Sequence, residues 1–265
     1  MKQRVIAIAN QKGGVGKTTT ACNLSAALAI QGFNTLLVDM DSQCNATFTY
    51  LSPELITTTL ADVLVGHQEG LKAMPDAIYG AHIERLDVAP AHIRLAMVER
   101  QIGIEDQYRL KDSIESLKDY AFIIIDCPPS LGMTLTQALL ASTHVIVPVA
   151  AQYYPLEGVV DLTTTIQATR RANPHLQMLG YLMTNYDVRN TICTEAVDKV
   201  KGMFKDLVFD TIIRTNVKLQ SAPAFRKSIF EHAPNSHGST DYETLRDEVL
   251  DRLSVKSSLR AVKEA

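Results

Sequence analysis

Tryptophan is absent from this chain and cysteine is scarce. Its four cysteines, Cys22, Cys44, Cys127 and Cys193, stand far apart with no C-x-x-C pair. That spacing excludes a disulfide-dense scaffold and a zinc ribbon, and it fits reduced, mostly buried thiols. The seven histidines show no H-E-x-x-H or comparable ligand spacing, so no transition metal is expected. Long hydrophobic runs are missing as well: none approaches the roughly 18–20 residues of a membrane span. The apolar run after Lys2 and Arg4 is too short for a signal peptide, and a glycine loop interrupts it, so a cytoplasmic protein is expected. Neither sign of charge dominates. Lys and Arg number 26, Asp and Glu 29, and the formal net charge is −3. This excludes a protein that is basic all over and leaves room for a local basic face.

What is present is an ordinary globular composition, 46% apolar and 21% charged over 265 residues, enough for one full core. Apolar strand-like runs cover residues 5–9, 35–39, 86–89, 121–126, 144–149, 178–184 and 207–213. Helical patterns lie at 17–31, 106–118, 131–141, 156–172, 194–205 and 240–253. The runs Phe122-Ile123-Ile124-Ile125 and Val145-Ile146-Val147 do not alternate with polar residues, as in strands of a parallel sheet covered on both faces. The alternation predicts an α/β fold, a doubly wound, mostly parallel sheet flanked by helices, with its ligand beyond the carboxyl ends of the strands. Residues 52–104 are the least regular and are expected to hold short peripheral helices. No linker or repeat divides the chain, so 1–265 reads as a single domain, with 254–265 expected as a frayed tail.

The most informative stretch is Asn10-Gln11-Lys12-Gly13-Gly14-Val15-Gly16-Lys17-Thr18-Thr19-Thr20. It follows the first apolar run and opens a helical pattern. This is the layout of a phosphate-binding loop, whose glycines turn backbone N–H groups inward and whose helix N-terminus adds partial positive charge. Gly13, Gly14, Val15, Gly16, Lys17, Thr18 and Thr19 are the expected nucleotide contacts. Lys17 reaches the β- and γ-phosphates, and the Thr18 hydroxyl ligates Mg²⁺. The pattern departs from G-x-x-x-x-G-K-[ST] in having Gln11 at its first position and an additional lysine, Lys12.

Two carboxylate elements accompany the loop. Val38-Asp39-Met40-Asp41 ends the second strand, and its D-x-D pair directs both carboxylates to one side of an extended segment. One of them can serve Mg²⁺ or its water and the other can orient an attacking water. Phe122 to Asp126 is an apolar strand ending in aspartate, a Walker B element whose carboxylate, Asp126, accepts from Mg²⁺-bound water.

The loop with its second lysine resembles the deviant Walker A motif of the ParA/MinD family of ATPases. V-D-x-D-x-Q at 38–43, I-I-D-C-P-P-S at 124–130, Gln152 to Gly158, Leu182 to Arg189 and Ile213 to Pro223 resemble further motifs of that family in the same order. The resemblance runs from the first strand to about residue 250 and is nearest the short ParA/Soj-type branch, without the N-terminal helix-turn-helix extension of longer plasmid forms. It implies ATP and Mg²⁺ as cofactors, Asp41 orienting the hydrolytic water and Asp39 supporting the metal shell. It also implies that Lys12 crosses to the partner's nucleotide in an ATP-dependent homodimer. Relatives use the position of Asn185 for adenine; an ordinary turn asparagine is the alternative. Arg214 and Thr215 stand where proline and arginine are usual in the family.

The function implied is an ATPase that binds double-stranded DNA without sequence preference and positions or segregates cargo, either plasmid or chromosome DNA or a protein assembly. A ParB-like or other partner would stimulate hydrolysis, and the protein would be nucleoid-associated. Residues 186–227 carry eight basic and five acidic side chains, a local excess of three positive charges. Within that segment, Arg189 and Lys218 align with family positions that touch DNA. A MinD-like membrane ATPase is the main alternative; it needs a basic amphipathic tail, and the tail from Ser254 to Lys263 is basic but has no aromatic and only three aliphatic anchors. A nucleotide-gated DNA-binding scaffold with negligible turnover is another. An iron–sulfur reductase is disfavoured, since Cys127 lacks an obvious second cysteine.

Overall fold

The computed structural model describes residues 2–65, 70–98, 104–152 and 159–255. In chain order its regular elements are β1 (Arg4–Ile8), α1 (Lys17–Ile30), β2 (Thr35–Asp39), α2 (Asn45–Tyr50), α3 (Leu60–Leu64), β3 (Tyr79–Gly80) and β4 (Leu86–Ala89). Then come α4 (Arg109–Glu115), β5 (Phe122–Asp126), α5 (Met133–Ala141), β6 (His144–Ala150), α6 (Val159–Thr169), β7 (Gln177–Tyr186) and α7 (Thr191–Phe204). The chain closes with β8 (Val208–Arg214), α8 (Val217–Ser221), α9 (Ile229–His232) and α10 (His237–Arg252). The strands form one sheet in the order β3-β4-β2-β5-β1-β6-β7-β8. Every neighbouring pair is parallel except β3 with β4.

The unbroken apolar runs become strands buried on both faces. On β1, Val5 and Ala7 join one core while Ile6 and Ile8 join the other. On β5, Ile123 and Ile125 part from Phe122 and Ile124 in the same way. That is the period-two alternation of a strand with both sides apolar. Helices α3 to α7 cover the first face, and α1, α9 and α10 cover the second, which makes the fold doubly wound as expected. Pro148 sits inside β6, where a central strand would not accept it. Strand β1 pairs with β6 only as far as Ile146. Beyond that point the Pro148 carbonyl faces the loop after β1 and accepts from Asn10 Nδ2 at 2.6 Å, so no ladder bond is lost there.

All seven strands expected from the sequence are present, with ends moved by no more than two residues. The structure departs from the expectations elsewhere. The helix expected at 106–118 is a 3₁₀ segment (Ile104–Tyr108) followed by α4. The Arg109–Asp106 ion pair at 2.8 Å and the bond from Arg109 to the Leu64 carbonyl hold this tighter first turn over α3. Helix α7 starts at Thr191 rather than 194, because the Asn190 side chain caps it by accepting from Ile192 N. Helix α10 starts at His237 rather than 240, capped by Ser236. Strand β3 and helices α2, α8 and α9 were not expected; they are too short to leave a periodic pattern. Thr59 caps α3 in a capping box with Asp62, and Thr163, Thr164 and Thr165 bond back to the preceding turn of α6. The motif residues 153–158 and the tail residues 256–265 lie outside the described residues. Val255 still packs on the second core. Among the described residues no helix is long and apolar enough to cross a membrane.

Candidate nucleotide-binding and catalytic site

The loop between β1 and α1 lies at the carboxyl edge of the sheet centre. Gly14 and Gly16 have φ of +72° and +84°, the left-handed region that costs an L side chain most and glycine least. Gly16 is the N-cap of α1 and offers no side-chain cap. The first N–H groups of α1 are therefore left for a ligand, and the helix dipole favours a negative one. Asn10 braces the near end: its Oδ1 accepts from Lys12 N at 3.0 Å. Lys17 is only 7% exposed, and its Nζ donates to the Lys12 carbonyl at 3.1 Å. Burial lowers the Lys17 pKa, while the nearby Asp126, Cys127 and Asp41 raise it. The Lys12 ammonium has no ion pair among the described residues.

Asp39 and Asp126 end neighbouring strands in direct register, and both are fully buried. Their surroundings differ. Asp39 Oδ1 accepts from Asp41 N at 3.1 Å, and Oδ2 accepts from Thr47 N at 2.8 Å and Thr47 Oγ1 at 2.7 Å. Asp39 thus ties the D-x-D turn to α2. Burial raises its pKa to about 6 against those hydrogen bonds. Neither oxygen of Asp126 has a hydrogen-bond partner of good geometry. Burial, and then the charge of Asp39, push its pKa well above the carboxylate range; the nearby Thr18 hydroxyl and Lys17 offset part of this. An unpartnered buried carboxylate is costly, and a cation with its water shell is what such a group lacks. Thr18 and Asp126 therefore fit a Mg²⁺ shell, with Asp39 behind them. Asp41 is half-buried at the mouth, its Oδ1 accepting from Gln43 N at 3.0 Å.

The remaining expected residues come from the ends of β7 and β8. Asn185 has φ +53°, and its Nδ2 donates to the Gly14 carbonyl at 3.1 Å, so its amide rests on the phosphate loop. Arg189 folds back on Asp187 through two side-chain bonds of 3.1 and 3.0 Å. Lys218 is exposed in the first turn of α8. Thr215 N donates to the Tyr186 carbonyl at 2.9 Å, which holds the segments bearing Arg189 and Lys218 side by side. Arg214 makes a bidentate pair with the nearly buried Asp241 of α10. A cavity of about 250 Å³ opens beside Thr18 and Thr19, closed on its far side by Leu219, Ala222 and Lys227.

Sequence reasoning assigned nothing to Thr47, Thr184 or Asp241. Thr47 serves both Asp39 and the Ala91 N–H, and Thr184 Oγ1 donates to the Val15 carbonyl at 2.8 Å. The one signal available was a polar residue closing an otherwise apolar strand, as Thr184 does.

Comparison with known proteins agrees with this geometry. Residues 3–178 match the AAA domain family. The chain is 40% identical over 264 residues to the chromosome partitioning protein ParA of Myxococcus xanthus, covering 98% of this chain and 92% of that one. It is 41% identical over 251 residues to the sporulation initiation inhibitor protein Soj of Bacillus subtilis, covering 93% and 98%. The solved structure of cobyrinic acid a,c-diamide synthase from Mycobacterium smegmatis, with a bound ATP analogue and magnesium, superposes with a TM-score of 0.82 at 32% identity over 96% of each chain. With its lysine-bearing phosphate loop, its paired strand-end aspartates and this likeness over nearly its whole length, the chain belongs to the ParA/Soj family of chromosome-partitioning ATPases, Mg²⁺-dependent hydrolases of ATP.

Proposed function

We propose that this ATPase works as an ATP-joined homodimer that binds double-stranded DNA without sequence preference, at the nucleoid of the cytoplasm, and that a ParB-like or other partner triggers hydrolysis. The cargo is plasmid or chromosome DNA, or a protein assembly. The observation that carries this reading is Lys12. Lys12 is half-buried and its ammonium has no ion pair among the described residues, while Lys17 already serves the loop from within. A second subunit's triphosphate supplies the charge that Lys12 lacks. Arg189 and Lys218 are the candidates for DNA phosphate in this reading.

Arg189 and Lys218 follow the ends of adjoining strands β7 and β8, and one subunit offers only a small positive excess. Dimerisation doubles it along one duplex. Each phosphate neutralised releases condensed counterions, with a slope of about 0.9 in log K against log salt per contact. Arg189→Glu and Lys218→Glu are each expected to weaken binding to unrelated duplexes equally and to flatten that slope, with ATP affinity unchanged. Gel-shift titrations with ADP and with ATP across a salt series check this. Tight binding with ADP, or no effect from either reversal, would remove the DNA surface from this segment.

A further inference from the structure

A loop that cradles phosphates turns its N–H groups toward the ligand, which turns its carbonyls away, and each carbonyl then needs a partner of its own. In this loop the Gly16 carbonyl accepts from Thr20 N as α1 begins, and the Lys12 carbonyl accepts from Lys17 Nζ. Two others, those of Gly14 and Val15, are served by consecutive residues at the end of β7, 171 and 169 positions later. Consecutive side chains of a continuing strand point to opposite faces. The left-handed backbone of Asn185 breaks that alternation, so Thr184 and Asn185 both reach the same loop. Asparagine suits the position twice over: it tolerates this conformation better than most L residues, and its amide is the donor that the Gly14 carbonyl needs. Thr184 is 2% exposed. Its own carbonyl accepts from Ala151 N at 2.8 Å, which fixes its height at the sheet edge, and its Cβ lies 3.8 Å from where a Gly16 side chain would begin.

We propose that Thr184 and Asn185 are positioning residues of the phosphate loop. They hold the Val15 and Gly14 carbonyls outward, and this keeps the loop N–H groups turned toward the phosphates. The amide of Asn185 then acts on the loop and not on the nucleotide base.

The test is calorimetric binding of ATP, ADP and inorganic tripolyphosphate, each with Mg²⁺, to the full chain without DNA. Asn185→Gly keeps the left-handed backbone and removes the amide. Thr184→Val keeps the shape and removes the hydroxyl, and Thr184→Ser keeps the hydroxyl. Leaving a loop carbonyl without its partner is expected to weaken all three ligands about tenfold in Asn185→Gly and in Thr184→Val. KM for ATP rises by the same factor and kcat stays within about twofold, because the loop shape serves bound ATP and the transition state alike. Thr184→Ser restores wild-type affinity. Tripolyphosphate carries no base. Weaker ATP and ADP with unchanged tripolyphosphate in Asn185→Gly would make Asn185 a base reader and overturn the proposal, as would unchanged affinity for all three ligands in both variants. Asn185 is exposed, so its glycine variant remains a valid test even where Thr184→Val does not fold. Because no DNA and no hydrolysis partner enter these measurements, a failure here leaves the DNA-binding reading standing.

Discussion

Lys17→Ala is expected to eliminate measurable ATP turnover and to weaken ATP binding beyond the reach of calorimetry. Among the described residues the Lys17 ammonium is the one cation buried at the loop, within the field of Asp126, Cys127 and Asp41. A preorganised charge in a water-poor site acts far more strongly than in water. Removing a single preorganised contact to the transferring group typically costs about 10²–10³ in rate. Here the same side chain also bridges the loop by donating to the Lys12 carbonyl, so binding and chemistry fall together. Phosphate release at saturating Mg²⁺ and ATP checks the rate, and isothermal titration checks the affinity. Wild-type affinity in this variant would remove the phosphates from this loop.

Asp126→Asn is expected to move stability and activity in opposite directions. In the ligand-free protein both oxygens of Asp126 are buried without a well-placed hydrogen bond, and the Asp39 carboxylate ends the neighbouring strand. Burial and the charge of Asp39 hold its pKa well above the carboxylate range, so folding must either bury a charge or take up a proton; asparagine removes that cost, about 1–3 kcal/mol or more. For a chain of this size that raises the apo Tm by about 2–4 °C per kcal/mol. The cost is the feature that makes the site useful, since binding machinery is commonly built from groups the apo fold would be more stable without. The wild type recovers stability when ligand binds, about 2.7 kcal/mol at a hundredfold excess over Kd. The variant is expected to lose most of the thermal shift that depends on Mg²⁺ and about 10²–10³ in kcat. A lower apo Tm together with undiminished hydrolysis would show that Asp126 is a structural carboxylate.

These two sites were legible before the fold was known because their signals are local. A glycine loop, the helix it opens and an aspartate at the end of an apolar strand each occupy a few consecutive residues. The strand positions were legible for the same reason: Phe122 to Ile125 declares its burial without reference to anything distant. The illegible parts are those held by side chains reaching across the chain. Thr184 and Asn185 meet Val15 and Gly14 from the far end of the sequence. Arg214 meets Asp241 on α10, and no spacing announces either contact. The resemblance drew Asn185 toward the base, and no spacing announced the bond from its amide to the Gly14 carbonyl. Asp39 was read as a metal-shell residue, and its oxygens are shared with Thr47 and the Asp41 N–H, an allocation that only the turn into α2 reveals. Short elements escaped for a simpler reason: β3 spans two residues, less than one period of any pattern.

The most direct measurement of whether this enzyme works as an ATP-joined dimer is subunit mixing between Lys12→Ala and Asp41→Ala. Each homodimer is expected to bind ATP and to hydrolyse it poorly, the first for want of the partner's lysine and the second for want of the residue that orients water. If Lys12 acts on the partner's nucleotide, a mixed dimer places both defects in one half-site and leaves the other intact. Random assortment of a two-fold dimer then restores about a quarter of wild-type sites. Recovery of hydrolysis near that level, in a mixture shown by tagged co-purification to contain mixed dimers, is the predicted result. A mixture that contains mixed dimers and stays inactive would contradict it, and would confine Lys12 to its own subunit.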